Sequence, residues 1–297
     1  MLEIIRELYT SVVQLLIKVL ISAFPVVNAL FIMGSGCLGV LLYKRLKPTA
    51  KEIMTRCLGL AVLLLGFSEL WECLFVLEDG KLEITGTMLV IFSLLIGLLF
   101  GYALNLDGLL EKLGIAMRRV FLGDPLEKAA VKGKIKKEEL PPELLAAQII
   151  DQKNCAEGFT MATVMCGFSS LLITNFLAGR MANDPIPLLI KLGFDFVFVF
   201  ILASIYGSGV PFAGAIVLVS EGVLGLVYSR WGDILLPIDV LDQIALIGAV
   251  ILLLCGASLC FGKKLRPANL IPALFIPIIY TFFMTKIEET VKEKTEK

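Results

Sequence analysis

The sequence predicts an all-α protein, a polytopic bundle of about eight transmembrane helices. Hydrophobic residues make up 58% of the 297 positions and charged residues only 18%, whereas soluble domains are roughly 45–50% apolar. Apolar stretches of about 17–25 residues, long enough to cross a hydrocarbon core as helices, recur along the chain. The strict alternation of apolar and polar residues in membrane β-strands is absent. The predicted environment is therefore a lipid bilayer, and the predicted location is the cytoplasmic membrane of a cell.

The spans can be placed from the apolar stretches. They are predicted near 25–43, 57–77, 86–104, 156–178, 187–206, 211–230, 241–261 and 267–285. The chain then divides into an interfacial helix at 1–24, spans 1–3 at 25–104, a connector at 105–153, spans 4–8 at 154–285 and a charged tail at 286–297. Within the third span, Ser93, Gly97 and Gly101 follow the small-xxx-small spacing that is typical of close helix packing.

The N-terminal stretch "LEIIRELYTSVVQLLIKVL" separates apolar from charged residues, as an interfacial amphipathic helix does. A ninth span is the alternative. The connector predicts two further amphipathic helices, "LDGLLEKLGIAMRRVF" with Asp107 as its N-cap and "PPELLAAQIIDQ" opened by proline, around the basic hinge "KGKIKKEE". It is interpreted either as a membrane-surface or regulatory element or as a solvated connector.

The orientation follows from the Lys and Arg residues. They concentrate at 44–56, 105–153 and 263–266, which lie on one side of the predicted spans, and the positive-inside rule makes that side cytoplasmic. The segment between spans 2 and 3 is mainly acidic, as an outside segment can be. Both termini are then predicted outside.

Two span pairs resemble each other. "NALFIMGSGCLGVLLYKR" aligns with "GAIVLVSEGVLGLVYSR", which places Ser35 opposite Glu221, and "LLLGFS" aligns with "LLCGAS". The members of each pair are five apart in span order, an odd number, so they cross the membrane in opposite senses. Spans 1–3 and 6–8 are therefore predicted to form an inverted-topology repeat; chance similarity of apolar helices is the alternative. If Pro25 and Pro211 begin their helices, Ser35 and Glu221 lie about 15 Å along them, near the bilayer midplane.

Asp195 and Glu221 are carboxylates well inside predicted spans. A charged group at the bilayer centre costs about 2.5–3.5 kcal/mol on insertion scales, so Glu221 is the strongest candidate for an ion-binding residue; a protonated glutamate that packs helices together is the alternative. Asp195 follows Lys191 by four residues, so a structural ion pair and an ion-binding role both fit it.

The fourth span carries a polar stripe below Glu157. Its members fall within an arc of about 80° on a helix, and they are Thr160, Thr163, Gly167, Ser170 and Thr174. The stripe is interpreted either as a packing face or as the lining of a cation pathway. Glu157 is either the mouth of that pathway or a first-turn carboxylate that the helix dipole favours. The stretch "SIYGSGVPFAG" between spans 5 and 6 is either a tight turn or unwound backbone that offers carbonyls to an ion.

Composition narrows the function classes. Lys and Arg (27) balance Asp and Glu (27), and histidine is absent, which argues against nucleic-acid partners and excludes Ser-His, Cys-His and His-ligated metal sites. The seven cysteines have no Cys-x-x-Cys spacing and are interpreted as reduced thiols. No catalytic residue, metal site or cofactor is predicted apart from a bound Na⁺ or H⁺.

Several motifs resemble one family. In order they are "VVNALFIMGSGCLGVLL", "CLGLAVLLLGFS", "LLIGLLFGYALNLDGLLEKLG", "AEGFTMATVMCGF", "LDQIALIGAVILLL" and "KKLRPANLIPAL", and the chain from 25 to 283 is similar to the domain of unknown function 554 family of bacterial multi-pass membrane proteins. The resemblance implies a sodium channel or pump as one suggested activity. It also implies polar positions in the membrane at Asn28, Glu157, Asp195, Glu221 and Asn269. This chain departs from the family pattern at Tyr102, where members often have glutamate, in its longer connector and in the residues before Asn28.

The sequence is therefore expected to encode a transporter or channel for a small ion or solute, coupled to a cation or proton through Glu221 and Asp195. Asn28, Ser35 and Asn269 would be neutral oxygen ligands, a set that suits a hard cation such as Na⁺. The alternatives are a non-transporting scaffold that presents its basic connector to a partner or to anionic lipid, and an intramembrane enzyme. The glycine-rich faces permit a homodimer.

Overall fold

The computed structural model describes residues 2–78, 81–84, 87–123 and 142–295. Ten α-helices, numbered here in chain order, make up most of this part. They are α1 Leu2–Tyr43, α2 Pro48–Leu74, α3 Thr87–Leu104, α4 Leu106–Leu122, α5 Pro142–Gly167, α6 Ala178–Ala182, α7 Pro185–Tyr206, α8 Ala213–Leu235, α9 Ile238–Phe261 and α10 Ile276–Thr295. A π-helix at Leu172–Leu177 and 3-10 helices at Val210–Phe212 and Pro267–Phe275 complete them. Strands β1 (Phe75–Glu78) and β2 (Lys81–Ile84) form an antiparallel hairpin in which Phe75 pairs with Ile84.

The predicted class, a helical membrane bundle, is confirmed. Among the described residues, six helical segments are long and apolar enough to span a bilayer: Ile17–Tyr43, Pro48–Leu74, Pro185–Tyr206, Val210–Gly232, Ile238–Phe261 and Pro267–Ile287. A seventh candidate is the pair Met88–Leu104 and Leu106–Leu122, which is bent by 49°. The predicted fourth span is not a single regular helix, because α5 ends at Gly167 and a π-helix follows. The count of eight spans stays a prediction.

The first helix differs from its prediction. α1 is continuous over 42 residues with Pro25 inside it, so Pro25 does not begin the helix and no boundary separates 1–24 from the first span. Membrane helices tolerate an interior proline because neighbouring groups satisfy the freed carbonyl. Ile21 and Phe24 are buried, and the Phe24 ring lies 5.9 Å from that of Phe176. This part of α1 therefore packs in the core of the bundle.

The connector also differs in detail. Asn105, in the left-handed conformation (φ 48°), occupies the N-cap position of α4, so the prediction of Asp107 as N-cap is wrong. The second connector helix begins at Pro142 as predicted, but it continues without a break through the predicted boundary at 153 to Gly167. The basic hinge "KGKIKKEE" lies outside the described residues.

Span 3 packs closely, as its small residues predict. Ser93 is fully buried. A methyl group added at Gly97 would lie 2.5 Å from the Cα of Ala273, and one at Gly101 only 1.9 Å from the carbonyl oxygen of Asn269. α3 and the 3-10 helix Pro267–Phe275 therefore touch backbone to backbone.

The contacts between α2 and α9 bear on the predicted repeat. The aligned motifs make Leu63 equivalent to Leu253 and Gly66 equivalent to Gly256. In the structure a methyl added at Gly66 would meet Leu253 at 3.0 Å, and one at Gly256 would meet Leu63 at 2.7 Å. Such a reciprocal pattern is what a two-fold relation produces, and it agrees with the antiparallel course of the two helices. The repeat itself stays a prediction.

Candidate functional site

Four polar side chains meet at the centre of the bundle. Asn28 comes from α1, Lys191 and Asp195 from α7, and Glu221 from α8, and all four are 0% exposed. Asp195 lies ten residues from Pro185 and eleven from Tyr206, and Glu221 lies eleven from either end of its candidate span. Both carboxylates are therefore near the middle of their candidate spans. We call Asn28, Lys191, Asp195 and Glu221 the central cluster.

Lys191 connects the two carboxylates. Its ammonium contacts Asp195 Oδ2 and lies 3.0 Å from Glu221 Oε1. It also donates a hydrogen bond of 3.0 Å to the carbonyl oxygen of Cys166. These three partners satisfy the three protons of a charged lysine. The predicted Lys191–Asp195 pair is present, and its extension to Glu221 is a contact that sequence spacing does not reveal.

Asn28 binds the same two carboxylate oxygens. Its Nδ2 donates to Asp195 Oδ2 and to Glu221 Oε1, each at 2.7 Å. One oxygen of each carboxylate is thus shared by the lysine and the amide. The remaining oxygens, Asp195 Oδ1, Glu221 Oε2 and Asn28 Oδ1, are buried without a hydrogen-bond partner among the described residues. The central cluster therefore contains two carboxylates, one ammonium and three oxygen acceptors without a hydrogen-bond partner in the described part of the chain.

An interrupted helix shapes this site. The last carbonyls of a helix have no intrahelical partner, and α5 ends at Gly167, one residue after the Cys166 carbonyl that receives Lys191. The interruption is closely packed, because a methyl added at Gly248 of α9 would lie 2.5 Å from the backbone nitrogen of Ser170. The sequence signal for it is the run Gly167 to Ser170, "GFSS", within an apolar span.

The predicted break between spans 5 and 6 differs from the interruption after α5. Gly207 adopts φ 86°, and the 3-10 helix Val210–Phe212 leads into α8. Gly207, Gly209 and Val210 are buried, so this segment lies inside the protein. Burial fits both interpretations offered by the sequence, a tight turn and backbone that offers carbonyls to an ion, and both stay predictions.

The polar stripe of span 4 connects two regions of the molecule. Thr160, Thr163 and Ser170 are at most 4% exposed, and their hydroxyls have no hydrogen-bond partner among the described residues. Thr174 instead donates to the carbonyl of Ser170 at 3.0 Å, and Gly167 lies against Ser220. Six residues separate Thr160 from Cys166, which is about 9 Å along a helix. The stripe therefore runs from near one end of the bundle to the central cluster.

At the end away from the central cluster, the stripe meets a cavity of about 110 Å³, which we call the vestibule. The polar side chains that line it are Thr55, Asp107, Glu111, Glu157, Thr160, Tyr206, Ser258, Lys263 and Lys264. Glu157 is 27% exposed here and lies 3.9 Å from the exposed Lys153. The vestibule is at the basic end of the bundle, where α1 ends and the loop between α9 and the 3-10 helix Pro267–Phe275 lies.

The predicted binding residues do not all meet at one site. Asn28, Asp195 and Glu221 meet in the central cluster, whereas Glu157 lies in the vestibule. Ser35 donates to the carbonyl of Phe196 at 2.6 Å, next to the cluster. Asn269 accepts a 3.1 Å hydrogen bond from the backbone N–H of Asp107, so it fixes the start of α4 and does not reach the central cluster.

Comparisons with known proteins agree with a membrane protein. The chain is 24% identical over 255 residues to the uncharacterized membrane protein YdfK of Bacillus subtilis (strain 168), a match that covers 86% of this chain and 93% of that protein. No solved structure matches significantly. The model of one family, described as protein of unknown function (DUF554), matches residues 24–282. Because that match covers most of the chain and includes every residue of the central cluster, this multi-pass membrane protein belongs to the DUF554 family.

Proposed function

We propose that the protein is a transporter or channel for a small ion or solute, driven or accompanied by a cation or proton that binds Asp195 and Glu221. The observation that carries the proposal is the charge balance of the central cluster. Two buried carboxylates face one buried ammonium, and an uncompensated charge in an apolar interior is strongly unfavourable. One more positive charge, a proton or a metal cation, makes the cluster neutral.

The chemistry of the free oxygens supports this ligand class. Asp195 Oδ1, Glu221 Oε2 and Asn28 Oδ1 lack partners among the described residues. Carboxylate and amide oxygens are the ligands that hard cations such as Na⁺ prefer, and a proton can occupy either carboxylate instead. Lys191 is then a built-in counter-ion, since it holds the carboxylates together when the ligand is absent and repels a second cation.

The proposed transporter or channel has a defined orientation in the membrane and catalyses no reaction. We propose that the vestibule end, which carries basic residues, faces the cytoplasm, as the positive-inside rule predicts, and that the connector 105–153 lies on the cytoplasmic side of the cell membrane. The bilayer, and a small ion or solute, are the partners it requires.

The first experiment is charge movement in proteoliposomes on separate Na⁺, K⁺ and pH jumps. We expect a current with one of these ions that Glu221→Gln abolishes, because the neutral amide removes the excess carboxylate. Glu52→Gln, at an exposed carboxylate paired with Arg56, is the matched control and should keep the current. A Glu221→Gln protein that folds and retains full flux would contradict the role of Glu221.

A scaffold is the rival from another class. It requires that the central cluster never contacts water. A cysteine placed at position 221 in a chain freed of its other thiols would then resist water-soluble thiol reagents, and no ion jump would give a current. Labelling together with a current would exclude the scaffold.

A further inference from the structure

We propose that the vestibule is a second cation site, through which the cation of the central cluster enters, and that Lys264 is the gate of this site. The inference rests on the proposed function and names its entry route. The ligand is a partly hydrated monovalent cation, because the walls offer carboxylate and hydroxyl oxygens, which hard cations prefer.

The vestibule has the room and the polar groups for such an ion. Its volume of about 110 Å³ is well above the roughly 10–15 Å³ that a single water needs. Three carboxylates line it, those of Asp107, Glu111 and Glu157, and Asp107 is only 3% exposed. Asp107 is therefore held away from bulk solvent, where its charge is screened less than a surface charge, while Glu111 and Glu157 are partly exposed.

An unpaired buried hydroxyl points to a ligand independently of these carboxylates. Thr160 lines the vestibule, is 4% exposed, and its Oγ1 has no partner among the described residues. Buried polar groups are normally hydrogen-bonded. Thr163, one turn deeper on α5, is in the same condition, and Cys166 one turn further touches Lys191. Two hydroxyls one turn apart, both unpaired within the described part of the chain, therefore lie between the vestibule and the Cys166 carbonyl that binds Lys191.

Lys264 closes the acidic side of the vestibule. Its ammonium contacts Glu111 Oε1 and lies 3.9 Å from Asp107 Oδ2, so it occupies the place that a cation between these carboxylates would take. Its side chain is 44% exposed and can move into water at little cost. The central cluster has the same arrangement, a lysine between two carboxylates, but there the lysine is fully buried.

A short loop positions this lysine. Gly262 (φ 65°) and Arg266 (φ 53°) adopt the left-handed conformation at its two ends. Ser258 holds the loop against the end of α9, since its hydroxyl donates to the carbonyl of Lys263 at 2.7 Å and accepts from the N–H of Leu265 at 3.4 Å. The loop backbone is therefore fixed, and the Lys264 side chain is the part that can open.

The test measures cation binding with the central site disabled. In purified Glu221→Gln protein, the unfolding temperature is followed as NaCl replaces choline chloride at constant ionic strength, because a ligand of the folded state raises it. We expect Na⁺ still to stabilise this variant through the vestibule. Adding Glu111→Gln should remove the effect, and adding Lys264→Gln should lower the half-saturating Na⁺ concentration by roughly two- to fivefold, the range that an exposed ion pair is worth.

Two further variants decide between a gate and a general charge effect. Lys112→Gln removes an exposed lysine of α4 next to Glu111 and should leave the titration unchanged, while Lys264→Arg should preserve it. If Glu111→Gln and Lys264→Gln titrate like their parent, or if the parent shows no Na⁺ effect, the vestibule site is wrong. Failure of the proposed function is seen separately, as wild-type proteoliposomes that give no current with any ion.

Discussion

At the scale of single residues, the members of the central cluster contribute unequally to its charge balance. Lys191 compensates both Asp195 and Glu221, whereas each carboxylate shares the lysine with the other. Neutralising Glu221 leaves one ammonium and one carboxylate. Neutralising Lys191 leaves two buried carboxylates held only by Asn28.

This difference predicts which neutralised variant is the less stable. Lys191→Gln should lower the free energy of unfolding by about 3–5 kcal/mol, the cost of leaving buried charge uncompensated, and Glu221→Gln should cost clearly less. Thermal unfolding of the two variants in the same detergent measures the difference. The double variant Lys191→Gln/Asp195→Asn, which again leaves a single carboxylate, should recover part of the loss. A Lys191→Gln protein as stable as Glu221→Gln would contradict the arrangement.

At the scale of elements, close backbone contacts hold the bundle together, and glycine is the residue that permits them. At Gly101 a methyl group would lie 1.9 Å from the carbonyl oxygen of Asn269, and this atom belongs to backbone that cannot easily move. At Gly34 of α1 nothing lies within 4 Å of such a methyl. The same chemical change is therefore harmful in one helix and harmless in another.

We expect Gly101→Ala to destabilise the protein by about 1–3 kcal/mol, the usual cost of overpacking. Gly34→Ala should be neutral or stabilising by up to about 1 kcal/mol, because glycine inside a helix costs conformational entropy. Unfolding temperatures of the two variants beside the parent check this. Equal effects would mean that α3 does not pack on the 3-10 helix Pro267–Phe275 as described.

The sequence predicts most elements of this fold but not their interruptions. Hydropathy locates the spans, because a helix in lipid must be apolar over a fixed length. It does not show that α1 continues through Pro25 or that α5 ends at Gly167, since both depend on which neighbouring groups satisfy the freed backbone. The same limit applies to the residues of the central cluster. Buried carboxylates are visible as charges in apolar stretches, whereas the bridge from Lys191 to Glu221 joins two helices and exists only in three dimensions.

At the scale of the whole molecule, contacts between helices bear on the predicted repeat. The reciprocal contacts of Gly66 with Leu253 and of Gly256 with Leu63 lie between α2 and α9, and two further span pairs of the predicted repeat, α1 with α8 and α3 with Pro267–Phe275, are also in contact. In transporters with inverted repeats the ion site lies where the repeats meet. The central cluster takes Asn28 from one predicted unit and Glu221 from the other, which fits this plan, while Lys191 and Asp195 come from α7, outside both units.

The orientation of the molecule gives the last prediction. The turn after α1 carries Lys44, Arg45 and Lys47, while Asn183, between α6 and α7, lies at the opposite end of the bundle and is exposed. The positive-inside rule predicts that the basic turn faces the cytoplasm. In intact cells an impermeant thiol reagent should therefore label Asn183→Cys, and it should label Lys47→Cys only after the membrane is permeabilised, with the parent chain giving the background of the native cysteines. The reverse pattern would place the vestibule outside, so that the cation would enter the vestibule from the external medium.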